Sequence, residues 1–421
     1  MKIDSMAPSR AGGLNNPSAS PPSALAARAG RSKGGAAAPR EVRLDPDRSA
    51  CPAEAPLFEP PARQTVLVLQ GGGALGAYQA GVYQGLCEGG IEPDWVIGTS
   101  IGAINGALIA GNPAKDRFGK LQEFWSRLAN RRAFDDVWSS SFFGNLMSNL
   151  ATVAQGVPGF FQANPQAPWG IHFPVGLERA AFYSTEPLRK TLCDLVDFDH
   201  LKGRHTRLTV GAVSVRTGEM RYFDSREMDL DVAHILASGA LPPAFPAVRI
   251  GDDAYWDGGI FSNTPIEAVL DDKPRRDSLI FSVNMWQPHG SEPTSIWQVL
   301  SRQKDIQYAS RGKSHVARQD QIHRLRHIVR QLGMHLSEEQ RNDPAVRELI
   351  EYGCGTTMHL VRLLSPRLDR EDHTKDIDFT RAGIRTRWQA GYDHAQRVLA
   401  AKPWEQEFDP LQGIVIHEDG D

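Results

Sequence analysis

The sequence predicts an α/β fold, a three-layer α/β/α arrangement around a mainly parallel sheet, with a largely helical C-terminal extension. Three observations carry this prediction: short β-branched runs apolar on both faces, glycines where those runs end, and helix-compatible segments between them. Strands buried on both faces need helices above and below, and alternating elements of this length supply them.

Residues 1–60 are rich in Ala, Pro, Ser, Gly and Arg without helical or alternating apolar period, and read as a disordered tail outside the fold. Met1-Lys2-Ile3-Asp4 leads into no apolar core of a secretory signal, so a cytoplasmic location is expected. An Arg-rich, Ser-containing leader also suits an organelle transit peptide, but Asp4, Glu41, Asp45 and Asp47 weigh against that. Order begins at Thr65-Val66-Leu67-Val68-Leu69, a strand broken by Gly71-Gly72-Gly73. Ala77, Ala80, Gly81, Tyr83 and Leu86 follow in helical spacing as far as Gly89-Gly90. Trp95 to Gly98 makes a second strand, and Ile101 to Ala110 a small-residue helix ended by Gly111. Further on, Leu208 to Val215 and Leu279 to Met285 read as strands, Arg216-Thr217-Gly218-Glu219 as a turn, and Pro187 to Val196 as a helix. Between 134 and 175, Phe134, Trp138, Phe142, Phe143, Phe160, Phe161, Trp169 and Phe173 are interleaved with Gly, Pro, Ser and Asn. Such an aperiodic aromatic segment is either a long loop packed on the core or a lid or acyl-binding wall.

From about residue 293 the chain turns helical and basic, with Arg318, His323, Arg324, Arg326, His327, Arg330 and His335 among Ile322, Leu325, Ile328, Val329 and Leu332. A solvated helix face is the plain reading, and a surface meeting anionic lipid the functional one. The 421 residues carry 47 basic and 50 acidic side chains, so no global basic field invites nucleic acid. Apolar runs fall short of the ~20 residues that cross a bilayer, which leaves a soluble or peripheral protein. Cys51, Cys87, Cys193 and Cys354 form no C-x-x-C pair and read as reduced thiols. No D-x-D-x-D-G loop and no H-E-x-x-H occurs, so neither metal nor other cofactor is expected.

Gly98-Thr99-Ser100-Ile101-Gly102 is a G-x-S-x-G between an expected strand and an expected helix. Small residues flank a serine there because the backbone turns sharply and leaves Oγ at a helix N-terminus, a nucleophile elbow. The same motif without chemistry is simply a tight turn. Gly71-Gly72-Gly73-Ala74-Leu75-Gly76 can bring backbone N–H groups onto a developing oxyanion, with the N–H of Ile101 as a further donor. Gly71, Gly73 and Gly76 also spell the dinucleotide fingerprint G-x-G-x-x-G. That reading wants an acid at the end of the second strand, whereas Asp94 lies at its beginning. Asp257-Gly258-Gly259 follows Tyr255-Trp256, a strand that can deliver a carboxylate beside glycines allowing close approach. A partly desolvated carboxylate of raised pKa can take the proton from a serine directly.

With these residues in view, the chain resembles the patatin-like phospholipases, a family of serine acyl hydrolases. Four blocks agree in order: Gly71 to Gly76, Gly98 to Gly102, Ala237-Ser238-Gly239-Ala240-Leu241-Pro242-Pro243-Ala244-Phe245-Pro246, and Asp257-Gly258-Gly259 followed by Asn263 and Pro265. The resemblance implies a catalytic domain over 64–290 and a C-terminal extension or subdomain over 291–421. It implies a Ser100–Asp257 dyad passing through an acyl-enzyme, and an oxyanion hole from Gly71, Gly72, Gly73 and Ile101. Gly98 and Gly102 would shape the elbow, and Gly76, Gly258 and Gly259 would support it. The substrate implied is a lipid or acyl ester, of the phospholipase or lysophospholipase kind, with contact to lipid surfaces. Triglyceride or storage-polyester hydrolysis by the same mechanism, and a non-catalytic lipid-binding relative, are the alternatives. Many members carry Arg or Lys where this chain has Leu75, so a supplementary positive charge is missing. A triad of Ser100, Asp257 and His289 is the enzymatic rival, and replacing His289 separates the two.

Overall fold

The structure, a computed structural model, describes residues 63–129, 156–368, 371, 373–409 and 411–418. All fall within one contact unit, residues 42–421. The tail over residues 1–60, Cys51, and the aromatics Phe134, Trp138, Phe142 and Phe143 lie outside the described residues.

Nine strands among the described residues build one sheet: β1 (Gln64–Leu69), β2 (Trp95–Thr99), β3 (Arg207–Ser214), β4 (Met220–Asp224), β5 (Val248–Ile250), β6 (Asp253–Asp257), β7 (Ser278–Asn284), β8 (Met358–Leu364) and β9 (Ile414–Glu418). Their order is β9-β8-β7-β1-β2-β3-β6-β5, with β4 also paired to β3. The run from β9 to β3 is parallel throughout, while β4 and β6 each pair antiparallel with β3, and β5 antiparallel with β6. The sheet is therefore mainly parallel, as the buried strands and their glycine ends predict.

Alternation in β1 shows why both faces are covered. Leu67 and Leu69 point into a core built with α1 (Ala77–Glu88), α2 (Ile101–Ala110) and α3 (Ala114–Leu128), while Val66 and Val68 point to the opposite face. That second face is closed by Ile266, Val269 and Leu270 and by Val316 of the long helix α5 (Ile296–His335). Ser100 reaches its neighbours through α4 (Val232–Ser238), which packs beside β3.

Residues 291–421 supply, besides helices, two strands of this same sheet. β8 pairs in parallel with β7 and β9 with β8. The last helix, α6 (Arg381–Ala401), crosses α1 with backbones almost touching, since a Cβ on Gly81 would stand 1.9 Å from the carbonyl oxygen of Trp388. The basic helix does not present the simple solvated face suggested by its sequence: His323 and His327 are buried, while Leu325 and Leu332 are exposed. Among the described residues Cys193 and Cys354 are free thiols. No helix among the described residues is long and apolar enough to cross a membrane.

Candidate active site

Ser100 sits between β2 and α2 with φ 57° and ψ −125°, a conformation that costs an L-residue energy and that the surroundings must hold. Two glycines make the bend possible. A Cβ on Gly98 would lie 2.3 Å from the Gly102 carbonyl oxygen, and one on Gly102 would lie 2.2 Å from that of Leu69. The Ser100 N–H donates to both the carbonyl oxygen and Oγ of Ser238, each at 3.1 Å, and Ser238 Oγ donates onward to Gly211 O at 2.6 Å.

Sheet register brings Asp257 to this bend. Thr99 is level with Gly211 across β2 and β3, and Ala212 is level with Asp257 across β3 and β6. Asp257 thus ends its strand at the height of Ser100, with only the small residues Gly211 and Ala212 on the strand between. The Ser100 side chain faces the Asp257 carboxylate across the same cavity, and that carboxylate accepts the Gly259 N–H at 2.7 Å. Burial, with Asp257 only 2 % exposed, pushes its carboxyl up to about 7 against the opposing pull of the Ser100 hydroxyl and the Gly259 N–H.

The glycine loop lies alongside. Among the described residues, no acceptor engages the N–H groups of Gly72, Gly73 or Ile101, and all three residues line the same cavity as Ser100 and Asp257. Gly71 differs from its expected role, because its N–H is spent on the carbonyl of Asn263 at 3.0 Å. Its contribution lies in its own carbonyl, which accepts Asn263 Nδ2 at 3.0 Å and Trp286 Nε1 at 2.7 Å. A trans peptide points its C=O and following N–H in opposite directions, so this clamp turns the Gly72 N–H away from both side chains. Gly73, at φ +55°, approaches the carbonyl of Asp376 so closely that a Cβ would stand 2.3 Å from it. The next N–H, of Ala74, donates to that carbonyl at 2.8 Å. Gly76 packs on Ile101, Gly258 on the Gly211 backbone, and Gly259 beside Asn263.

These groups line a cavity of about 150 Å³ whose other walls include Ile104, Phe160, Phe161, Leu241, Phe245, Ile377 and Phe379. Among the described residues no Lys or Arg lines it. Leu75 is buried, and two nearby cations are matched, Lys304 to Asp376 at 2.7 Å and Lys375 to Asp305 at 2.7 Å. Backbone N–H groups and the α2 N-terminus are the positive ends available to an oxyanion here. His289 is exposed and absent from the cavity wall. Asp94 accepts the Thr65 N–H at 2.7 Å at the start of β2.

Sequence reasoning missed Trp286, Tyr308, Asp376, Ile377 and Phe379, all on this wall and all beyond the strand ending at Asn284. Trp286 carries a direct expectation as a positioning residue. Trp286→Phe keeps the ring but removes the donor to Gly71, and losing one such bond corresponds to roughly a tenfold fall in kcat with KM little changed. An unchanged kcat for a soluble ester removes Trp286 from that role.

Comparisons with known proteins bear on both halves of the chain. Residues 67–270 match the family model described as patatin-like phospholipase, and residues 306–411 match one described as patatin phospholipase. A lysophospholipase nte1 of Aspergillus terreus is 44% identical over 73 residues, 17% of this chain and 5% of that protein. An uncharacterized NTE family protein of Mycobacterium tuberculosis is 30% identical over 211 residues, 50% of this chain and 29% of that protein. The chain thus spans less than a third of these curated relatives. Among solved structures, VipD from Legionella pneumophila aligns with TM-score 0.35 and 16% identity, covering 81% of this chain and 67% of that one. With its glycine loop, serine elbow and Asp-Gly-Gly block in one sheet, and with family models matching on both sides of the 290 boundary, the chain belongs to the patatin-like phospholipase family.

Proposed function

We propose that this protein is a lipid acyl hydrolase that cleaves carboxylic esters through a Ser100–Asp257 dyad, acting on lipid-like esters of the phospholipase or lysophospholipase kind. One observation carries the reading: a buried carboxyl, raised to about 7, shares an apolar cavity with a serine held at a strained elbow and stands close enough for that serine to act on its pKa. A base of that pKa is half ionised near neutrality, where proton transfer is most effective.

Asp257 takes the Ser100 proton as Oγ adds to the ester carbonyl. The negative oxygen of the tetrahedral adduct is met by the N–H groups of Gly72, Gly73 and Ile101, which need no reorganisation to receive it. Protonated Asp257 returns its proton to the departing alcohol, leaving the acyl group on Ser100. Water then adds to the acyl-enzyme as Asp257 takes its proton, and collapse of that adduct frees the acid and restores the serine.

The test is intact-protein mass spectrometry after a fluorophosphonate probe, paired with p-nitrophenyl ester turnover. Wild type is expected to gain one phosphonyl adduct, and folded Ser100→Ala to gain none and to turn over ester at background. A wild-type protein neither labelled nor active would favour a lipid-binding role for the same cavity.

A further inference from the structure

We propose that the aromatic walls beyond Ser100 act as a ruler for the acyl chain, setting the preferred acyl group of the ester at about six carbons. This rests on the hydrolase reading above and adds the substrate class to it.

The cavity has a far end. Ile104 lies one turn along α2 from Ser100 and begins the wall. Phe160 meets Phe379 with ring centroids 5.5 Å apart, and Phe245 meets Phe160 and Phe161 at 6.2 and 5.3 Å. Behind Phe379, Trp125 stacks at 6.4 Å with ring planes 19° apart, and is itself 1 % exposed. Two aromatic layers therefore stand where a long-chain enzyme needs a channel. The cavity, open on one side, holds about 150 Å³, and an apolar space of about that size takes a benzene-sized guest, hence about six carbons. Close-packed aromatics do not admit further methylenes without displacement from their rotamers. Among the described residues the acidic groups on the lining are Asp257, at the Ser100 end, and Asp376, which is paired with Lys304, and the rest of the far wall is apolar, so an acyl chain is the occupant whose chemistry it matches.

Gly239 offers the opposite manipulation. It lines the cavity with φ −102°, and the atoms nearest to an added Cβ are 3.9 Å away, so Gly239→Ala puts a methyl into the space without strain.

The experiment is kcat/KM for p-nitrophenyl esters from two to sixteen acyl carbons with wild type, Phe160→Ala, Phe379→Leu and Gly239→Ala. Wild type should rise about fourfold per methylene to about six carbons, then fall at least about tenfold by twelve. Phe160→Ala and the milder Phe379→Leu should move the optimum to longer chains, and Gly239→Ala should move it about one carbon shorter. A wild-type optimum at twelve carbons or more, or one profile shared by all four proteins, overturns the ruler. If no protein turns over any ester, titration calorimetry of Ser100→Ala with hexanoate and dodecanoate separates the two readings. Preference for hexanoate, reversed on adding Phe160→Ala, keeps the ruler and removes the hydrolase. Equal or tighter dodecanoate binding overturns the ruler.

Discussion

Asp257→Asn is expected to lower kcat/KM for an ester by about 10³-fold or more, because it removes the group proposed to move every proton in the cycle. The same substitution reports on stability in the opposite direction. The Asp257 carboxyl is raised to about 7 in the fold, against about 3.9 in an unfolded chain. Between those values the folded protein holds a proton that the unfolded chain has released. Stability from this site is therefore fully present below pH ~4 and is lost as pH rises through about 7. Three pKa units correspond to about 4 kcal/mol as an order of magnitude, and Asn, which does not ionise, escapes that loss. Denaturant unfolding of the two proteins at pH 4 and pH 8 should show the variant gaining on wild type by several kcal/mol at the higher pH. In wild type, the acid limb of kcat/KM should fall near pH 7. An acid limb near pH 4, with no pH-dependent stability difference, would show that Asp257 is not desolvated, and wild-type turnover by Asp257→Asn would remove it as the base.

Gly73→Ala should be the most damaging single change to turnover after those at Ser100 and Asp257. Its backbone stands at φ +55°, which disfavours any residue with a Cβ by about 1–2 kcal/mol, and that Cβ would collide with the Asp376 carbonyl oxygen at 2.3 Å. Backbone cannot swing aside as a side chain can, so either the glycine loop or the 376 segment must shift. A shift of the loop takes the Gly72 and Gly73 N–H groups off the oxyanion, and loss of such a donor lowers kcat by about 10²–10³-fold. The rate of fluorophosphonate labelling should fall in parallel, because the phosphonyl oxygen uses the same donors. A variant that keeps wild-type far- and near-ultraviolet circular dichroism and labels at the wild-type rate would remove the glycine loop from the oxyanion hole. The collision partner is Asp376, so the same result tests whether the C-terminal part of the chain braces the site.

Much of this could be read from the chain before its shape was known. Val66 and Val68 alternate with Leu67 and Leu69 in an unbroken apolar run, which demands layers on both sides of a parallel strand. Gly98 and Gly102 around Ser100 announce a bend that side chains would obstruct, and their collisions at 2.3 and 2.2 Å are the physical form of that signal. Glycine and serine speak for their own local backbone, so such features are legible in order along the chain.

What stayed illegible depends on pairing between distant segments. Nothing in Met358-His359-Leu360-Val361-Arg362-Leu363-Leu364 distinguishes a strand from a helix turn, and only the open edge of β7 turns it into β8. Gly71 looks like its neighbours as a possible donor until Asn263 occupies its N–H. Trp286, Tyr308 and Phe379 show no motif, because a wall residue needs only bulk and position, and position comes from β7, α5 and the approach to α6. The sequence by itself determined the fold class and the local geometry of the elbow, since both follow from periodicity and from where a Cβ is allowed. The tertiary structure decided the pKa of Asp257, the division of labour in the glycine loop and the size of the cavity, since burial, hydrogen-bond competition and cavity volume arise only when separate segments meet.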